Sequence, residues 1–262
     1  MARKFYDEDD YENAIKKFTE AIASDPQNAD AYYYRGASYL IDCEFSRAIR
    51  DLNKVIKIDP KRADAYASRG KAFRMKGKSD YDRALRDFNK AIELDPDRAA
   101  ELDQERAEVY AGRGNAYHVD GQYDQAISDY NKSIELNPGR DVIYELRGDA
   151  YRAKGQYDQA ISDYNRAIEL DPNNVSRTIY ESRGDAYRMK GQYDLAIKDL
   201  TRVIEAVSEV FPKEYYAYAS RGLAYMETGQ KELAISDLEK AVSINPNDQW
   251  MDWLAEAKAM PG

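Results

Sequence analysis

Cysteine and histidine are almost missing: the 262 residues hold one of each, Cys43 and His118. A lone cysteine excludes an intrachain disulfide and any multi-cysteine metal site. The lone histidine leaves no paired imidazole ligands and completes no Ser-His-Asp or Cys-His set. Long apolar runs are missing too. None approaches the roughly 18 residues that span a bilayer, and the start, MARKFYDEDD, has no apolar signal core, so a soluble chain without membrane insertion is expected. Positive charge is in deficit, with 39 Lys and Arg against 48 Asp and Glu and a net charge of −9. That balance opposes a phosphate-tracking surface and hence nucleic acid as a partner, although a local basic patch is compatible with it. No Gly-rich phosphate loop occurs, and the carboxylates recur at exposed positions in the manner of a solvated surface. Neither an enzyme nor a cofactor or metal is expected.

What the chain does contain is repetition. RGNAYHVDGQYDQAISDYNKSIELNP from Arg113 is nearly rewritten as RGDAYRAKGQYDQAISDYNRAIELDP from Arg147, an interval of 34 residues. The Arg-Gly pair also stands at Arg35, Arg69, Arg183 and Arg221. A fixed period of this length marks a solenoid, in which each unit stacks on its neighbours and length counts units rather than globules. A hydrophobic fraction of 43% is enough to bury a core, which argues against disorder.

Within one unit, a first helix should end near Lys154, because Gly155 can take the left-handed conformation that closes a helix. A second helix should run from Tyr157 to Leu170 and stop at Asp171-Pro172. Its apolar residues Tyr157, Ala160, Ile161, Tyr164, Ala167 and Ile168 fit a helical period. Gly148 and Ala160 are small where the two helices must approach closely. Cys43 occupies the turn position held elsewhere by Gly121, Gly155, Gly191 or Gly229, and reads as a tolerated substitution.

The order Tyr144, Arg147-Gly148, Tyr151, Ala160, Tyr164, Pro172 resembles the tetratricopeptide repeat family. Tyr32, Gly36, Tyr39, Ala48, Leu52 and Pro60 match in the same way, as do Tyr218, Gly222, Tyr225, Ala234, Leu238 and Pro246. The resemblance implies an all-α, right-handed superhelical solenoid of antiparallel helix pairs. One array is expected: a partial repeat over 1–28, repeats over 29–62, 63–98, 99–140, 141–174, 175–208 and 209–247, and a capping helix over 248–262 carrying Trp250, Trp253, Leu254 and Ala257. The near-identical units resemble bacterial members of the family. The 23 tyrosines fall mostly on recurring positions and read as core amphiphiles.

The chain departs from the family where Leu is usual before the Gly, because all six complete units carry Arg. The same six carry Asp three residues after the small Ala of the second helix, at Asp51, Asp87, Asp129, Asp163, Asp199 and Asp237. An Arg-Asp pair inside each unit is therefore predicted. The period also breaks. Ten extra residues lie between Arg69 and Arg113, at Lys78-Ser79 and around Arg98 to Glu105, where AAELDQERAEVY should lengthen a first helix. Val207 to Phe211 should extend a second one. Both are expected to protrude on the rim.

In this family the first helices line a concave groove that holds a peptide or helix of another protein. Carried over by position, the groove residues are Tyr33 and Leu40; Lys71 and Arg74; Asn115 and His118; Glu145, Asp149 and Arg152; Glu181, Asp185 and Arg188; and Tyr216, Leu223 and Met226. The expected function is a non-catalytic scaffold or adaptor whose apolar ends anchor a partner protein while Lys71, Arg74, Arg152 and Arg188 read its charge. The two-carboxylate clamp of one subclass is absent, since its places hold Tyr33, Ala37, Ser68 and Ala111. The front unit has only Met1 to Asp7 where a first helix should be. Either the chain is shortened here, or a partner, or a second copy stacked on this edge, covers Phe5, Phe18 and Ile22, which makes a self-associating structural module the alternative. Cytoplasm is the expected compartment, and a periplasmic mature form the alternative.

Overall fold

Wherever apolar residues recur with the helical period, the chain is helical. The computed structural model describes residues 3, 6, 10–173, 175–205 and 215–261. The residues Met1, Phe5 and Asp7 at the front and the Val207–Phe211 extension lie outside the described residues. Two compact units divide the chain, 1–138 and 139–262.

The first unit contains α1 (Tyr11–Ser24), α2 (Ala29–Ile41), α3 (Phe45–Ile58), α4 (Ala63–Lys76), α5 (Tyr81–Leu94), α6 (Ala99–Val119) and α7 (Tyr123–Leu136). The second contains α8 (Asp141–Ala153), α9 (Tyr157–Leu170), α10 (Arg177–Met189), α11 (Tyr193–Glu205), α12 (Tyr215–Glu227), α13 (Lys231–Ile244) and α14 (Asp248–Ala259). No strand occurs among the described residues. In both units each helix packs on the next, and the first helices of successive hairpins also touch: α2, α4 and α6 in the first unit, α8, α10 and α12 in the second. Each unit is thus a stack of antiparallel hairpins with the first helices forming one continuous face.

The predicted bounds of the second helix, Tyr157–Leu170, are those observed. Close approach explains the Gly of the Arg-Gly pair: a Cβ on Gly148 would lie 2.8 Å from Cε1 of the fully buried Tyr164. The turn after the first helix needs positive φ, which Gly121, Gly155, Gly191 and Gly229 adopt at 72–73°. Cys43 takes the same conformation at φ 59°, a left-handed state that a side chain disfavours.

The predicted Arg-Asp pair is present in all six hairpins. Arg183 Nε and Nη2 donate to Asp199 Oδ2 and Oδ1 at 2.7 and 2.8 Å, and Arg35, Arg69, Arg113, Arg147 and Arg221 repeat the fork. The six carboxylates are buried, 4–6% exposed. The third nitrogen reaches backwards. Nη1 of Arg69, Arg183 and Arg221 donates to Asn53, Asn165 and Thr201 on the preceding second helix at 2.6–2.8 Å. Arg35 reaches Thr19 at 3.1 Å, and Arg113 reaches Asp82. Each of these guanidiniums therefore ties its own hairpin and also ties it to the one before. Beneath them lie the recurring tyrosines, with Arg183 Cζ 5.4 Å from the Tyr180 ring centroid, a cation–π contact.

The insertion at Lys78-Ser79 forms a short 3₁₀ turn, Lys78–Asp80. The second insertion makes α6 a 21-residue helix, as predicted, but it does not protrude. Leu102 is fully buried in the core of the first unit beside Val109, because the added turns supply an apolar side chain that packs rather than a loop that loops out. At the far end, Trp250 of α14 is buried and Trp253 packs under both terminal clusters. The front needs no outside cover for Phe18, which is 5% exposed and stacks on Tyr34 at 5.6 Å in a cluster that includes Tyr6.

Candidate functional site

The two first-helix faces share a pattern and differ in how their charges are spent. In the first unit, Lys71 and Arg74 of α4 face the added acidic turns of α6. Lys71 Nζ lies 3.2 Å from Glu105, and Arg74 Nη1 donates to Glu108 at 3.0 Å. Arg74 Nε is 3.1 Å from Glu105 Oε2, but neither atom forms an aligned hydrogen bond, so that contact is Coulombic alone. Tyr33 lies under the Arg62 guanidinium, 4.4 Å from ring centroid to Cζ. Burial holds its pKa above the ordinary tyrosine value. Leu40 packs on the core of the unit. Asn115 accepts from Tyr130 Oη at 2.7 Å, and His118 sets its ring edge against Tyr123 at 5.3 Å, with Nε2 buried and unpartnered. This face is largely closed by its own pairs.

In the second unit two arginines converge on one buried carboxylate. Asp185 of α10 is buried, 7% exposed, and lies between two arginines: Arg188 Nη2 donates to Oδ1 at 2.8 Å and Arg152 Nη1 reaches Oδ2 at 3.5 Å. Asp149 accepts from Tyr164 Oη at 2.7 Å and stands 3.7 Å from Arg152. The Nε atoms of both Arg152 and Arg188 are buried with no hydrogen-bond partner. A buried unpaired donor costs about 1–3 kcal/mol, and the Nε atoms of Arg74 and Arg106 in the first unit are in the same state. Tyr216 of α12 stands beside Arg152 and Arg188, 42% exposed. Desolvation of its hydroxyl raises its pKa, Asp185 adds to the rise, and Arg152 and Arg188 oppose it.

Toward the helix N-termini the face turns acidic. Glu145 accepts from Thr178 Oγ1 at 2.8 Å. Its pKa is raised, first by burial and then by Asp149 and Asp141. Glu181 lies half-buried one turn before Asp185. Leu223 is half-buried, and Met226 packs against the Trp253 cluster. The structure therefore gathers Glu145, Asp149, Arg152, Asp185, Arg188 and Tyr216 on one face. It gives Leu40 and Met226 to the core.

Four family models match the chain. One described as TPR repeat covers residues 2–40 and 148–176, and three described as Tetratricopeptide repeat cover 107–140 and 215–248, 43–99, and 178–206. The chain belongs to the tetratricopeptide repeat family. Among solved structures, this TPR protein is similar to the C-terminal part of a TPR repeat-containing protein from Cytophaga hutchinsonii. Identity is 20% and the TM-score 0.68, over 97% of this chain and 98% of that one. It is similar to YrrB, described as a TPR protein with an unusual peptide-binding site, at 24% identity and TM-score 0.58, over 79% of this chain and 97% of that one. It is also similar to MamA at 27% identity and TM-score 0.51, over 66% of this chain and 95% of that one. No curated protein matches it. The TPR fold makes the chain a protein-interaction scaffold. Among the described residues no cluster of His, Cys, Asp and Glu could hold a metal, and no helix is long and apolar enough to cross a membrane.

Two features were missed in the sequence: the backward bond of the repeat arginine and the ion pairs between α4 and α6. The first had a signal, since Thr19, Asn53, Asn165 and Thr201 recur two residues after the Asp position or its Lys17 equivalent. The second had none, because it depends on where the added turns of α6 fall against α4.

Proposed function

We propose that the first-helix face of the second unit holds a segment of a partner protein. Arg152 and Arg188 take a carboxylate of that segment, and Tyr216 packs against its chain. The observation that carries this reading is the pair of partly exposed arginines, Arg152 and Arg188, on first helices that touch, beside an exposed tyrosine. Aromatic and arginine side chains dominate binding hot spots, and a partner's carboxylate makes charge-assisted bonds with the exposed edges of the two guanidiniums. Glu145 and Glu181, toward the other end of the face, select a basic residue on the same segment. The peptide-binding site named for YrrB lies on a similar fold and is consistent with this use.

The test is a displayed random-peptide library selected on the intact chain. Enriched peptides should contain Asp, Glu or a free C-terminus, and fluorescence anisotropy should show at least tenfold weaker binding to Arg152→Ala/Arg188→Ala. Selected peptides that bind wild type and variant alike would refute the site.

A further inference from the structure

The segment from Phe45 to Lys90 carries 14 Lys and Arg against 6 Asp and Glu, a net +8 inside a chain of net −9. Much of the excess lies on the outer faces of two successive second helices. Along α3 run Arg47, Arg50, Lys54 and Lys57, in steps of three, four and three; along α5 run Arg83, Arg86 and Lys90, in steps of three and four. The repeats supply an internal control. The places of Arg47 and Arg50 hold Gln125 and Ser128 in α7, Gln159 and Ser162 in α9, and Leu233 and Ser236 in α13, so the fold does not need cations there.

Part of this charge is spent: Arg47 pairs with Glu44, Arg83 with Asp80, and Lys90 with Glu93. Arg50, Lys57 and Arg86 are exposed and pair with no carboxylate among the described residues. Arg47 and Arg50 of α3 also share an open cavity of about 420 Å³ with Lys76 of α4, where Glu44 is the one carboxylate. α3 and α5 do not touch; both pack on α4.

We propose that this double basic row docks an acidic helix of another protein, at a surface separate from the first-helix face. Cations three and four residues apart on a helix step by about 5.3 Å along its axis. Carboxylates at the same spacing on a partner helix step equally and stay in register over the about 15 Å of the α3 row. Same-side residues of an extended strand are about 6.7 Å apart and lose register within two steps. A single-stranded nucleic acid would want several exposed rings for its bases, whereas Phe73 and Tyr39 lie under guanidiniums, with Arg83 Cζ 4.0 Å over Phe73 and Arg47 Cζ 5.6 Å over Tyr39, and Phe45 is the one ring that lines the cavity.

The experiment uses the full chain and three labelled probes: an Ala/Glu helical peptide with its Glu residues on one face at three- and four-residue spacing, a peptide of the same composition with Glu spread round the helix, and a 20-nucleotide poly(dT). Anisotropy titrations should show the one-faced peptide binding at least tenfold tighter than the other two and weakening between 50 and 300 mM salt. The variant Arg50→Ser/Lys57→Glu/Arg86→Ser, built from residues that other repeats carry at these places, should keep its thermal midpoint and lose at least tenfold in affinity. Equal binding of the two peptides, tighter binding of the oligonucleotide, or an unaffected triple variant would each overturn the proposal.

Discussion

Arginine stands where the family has leucine, and the substitution works because aspartate stands opposite in the same hairpin. Arg183 is 16% and Asp199 7% exposed in their side chains, and a buried pair of this kind is costly to break although not always a net stabiliser. Arg183→Leu should therefore destabilise the chain by about 3 kcal/mol in urea melts, because it strands the Asp199 carboxylate. Adding Asp199→Ala should recover most of that loss; a double variant as unstable as the single one would mean that the pair is a net stabiliser in its own right. Glu145 behaves in the opposite sense. Its folded-state pKa is raised, chiefly by burial, so its charged form disfavours folding above that pKa and the penalty disappears below the unfolded value, about 4.3. Glu145→Gln keeps an acceptor for Thr178. It should raise the thermal midpoint at pH 7 and match wild type at pH 3.5; an equal gain at both would trace the effect to packing instead.

At the scale of elements, most of the fold was legible in the sequence. The 3.6-residue period, the Gly turn and the Asp-Pro stop located the second helix of one unit at Tyr157–Leu170, and the paired recurrence of Arg and Asp predicted a contact across each hairpin. The role of the long α6 was not legible. AAELDQERAEVY announces a helix, but whether its extra turns stand clear or pack depends on where Leu102 and Glu105 fall against α4, which is a matter of tertiary register. Because Leu102 is fully buried, Leu102→Ala should cost about 2–4 kcal/mol, measured by chemical denaturation. A loss under 0.5 kcal/mol would restore the view of the insertion as a tolerated protrusion.

For the whole molecule, two faces built by one rule have different electrostatic states. The first-helix positions were readable from the repeat, whereas which arginines stay available was not, since that depends on acids 34 residues further along, such as Glu108 against Arg74. Equivalent substitutions should then separate. Lys71→Ala/Arg74→Ala removes the cations that face Glu105 and Glu108 and should lower stability by about 1 kcal/mol without altering peptide capture. Arg152→Ala/Arg188→Ala should abolish capture and, because it strands the buried Asp185 carboxylate, should also lower the thermal midpoint, so capture is read well below that midpoint. Paired melting and anisotropy measurements check both, and the reverse assignment would place the working face in the first unit.

The backward bond of the repeat arginine has a consequence for how such a chain can be cut or lengthened. A 34-residue block that begins at an Arg-Gly pair looks like a self-sufficient module, yet the guanidinium at its head is held partly by Asn53, Asn165 or Thr201 of the block before it. The block read from Arg-Gly and the unit joined by the backward bond therefore have different boundaries. Excision at the Arg-Gly seam leaves the leading guanidinium its Asp fork but removes its backward partner, whereas a seam placed after the first helix carries each guanidinium away with its backward partner and severs the fork instead. A spliced array stays sound only where the incoming block brings the matching half with it.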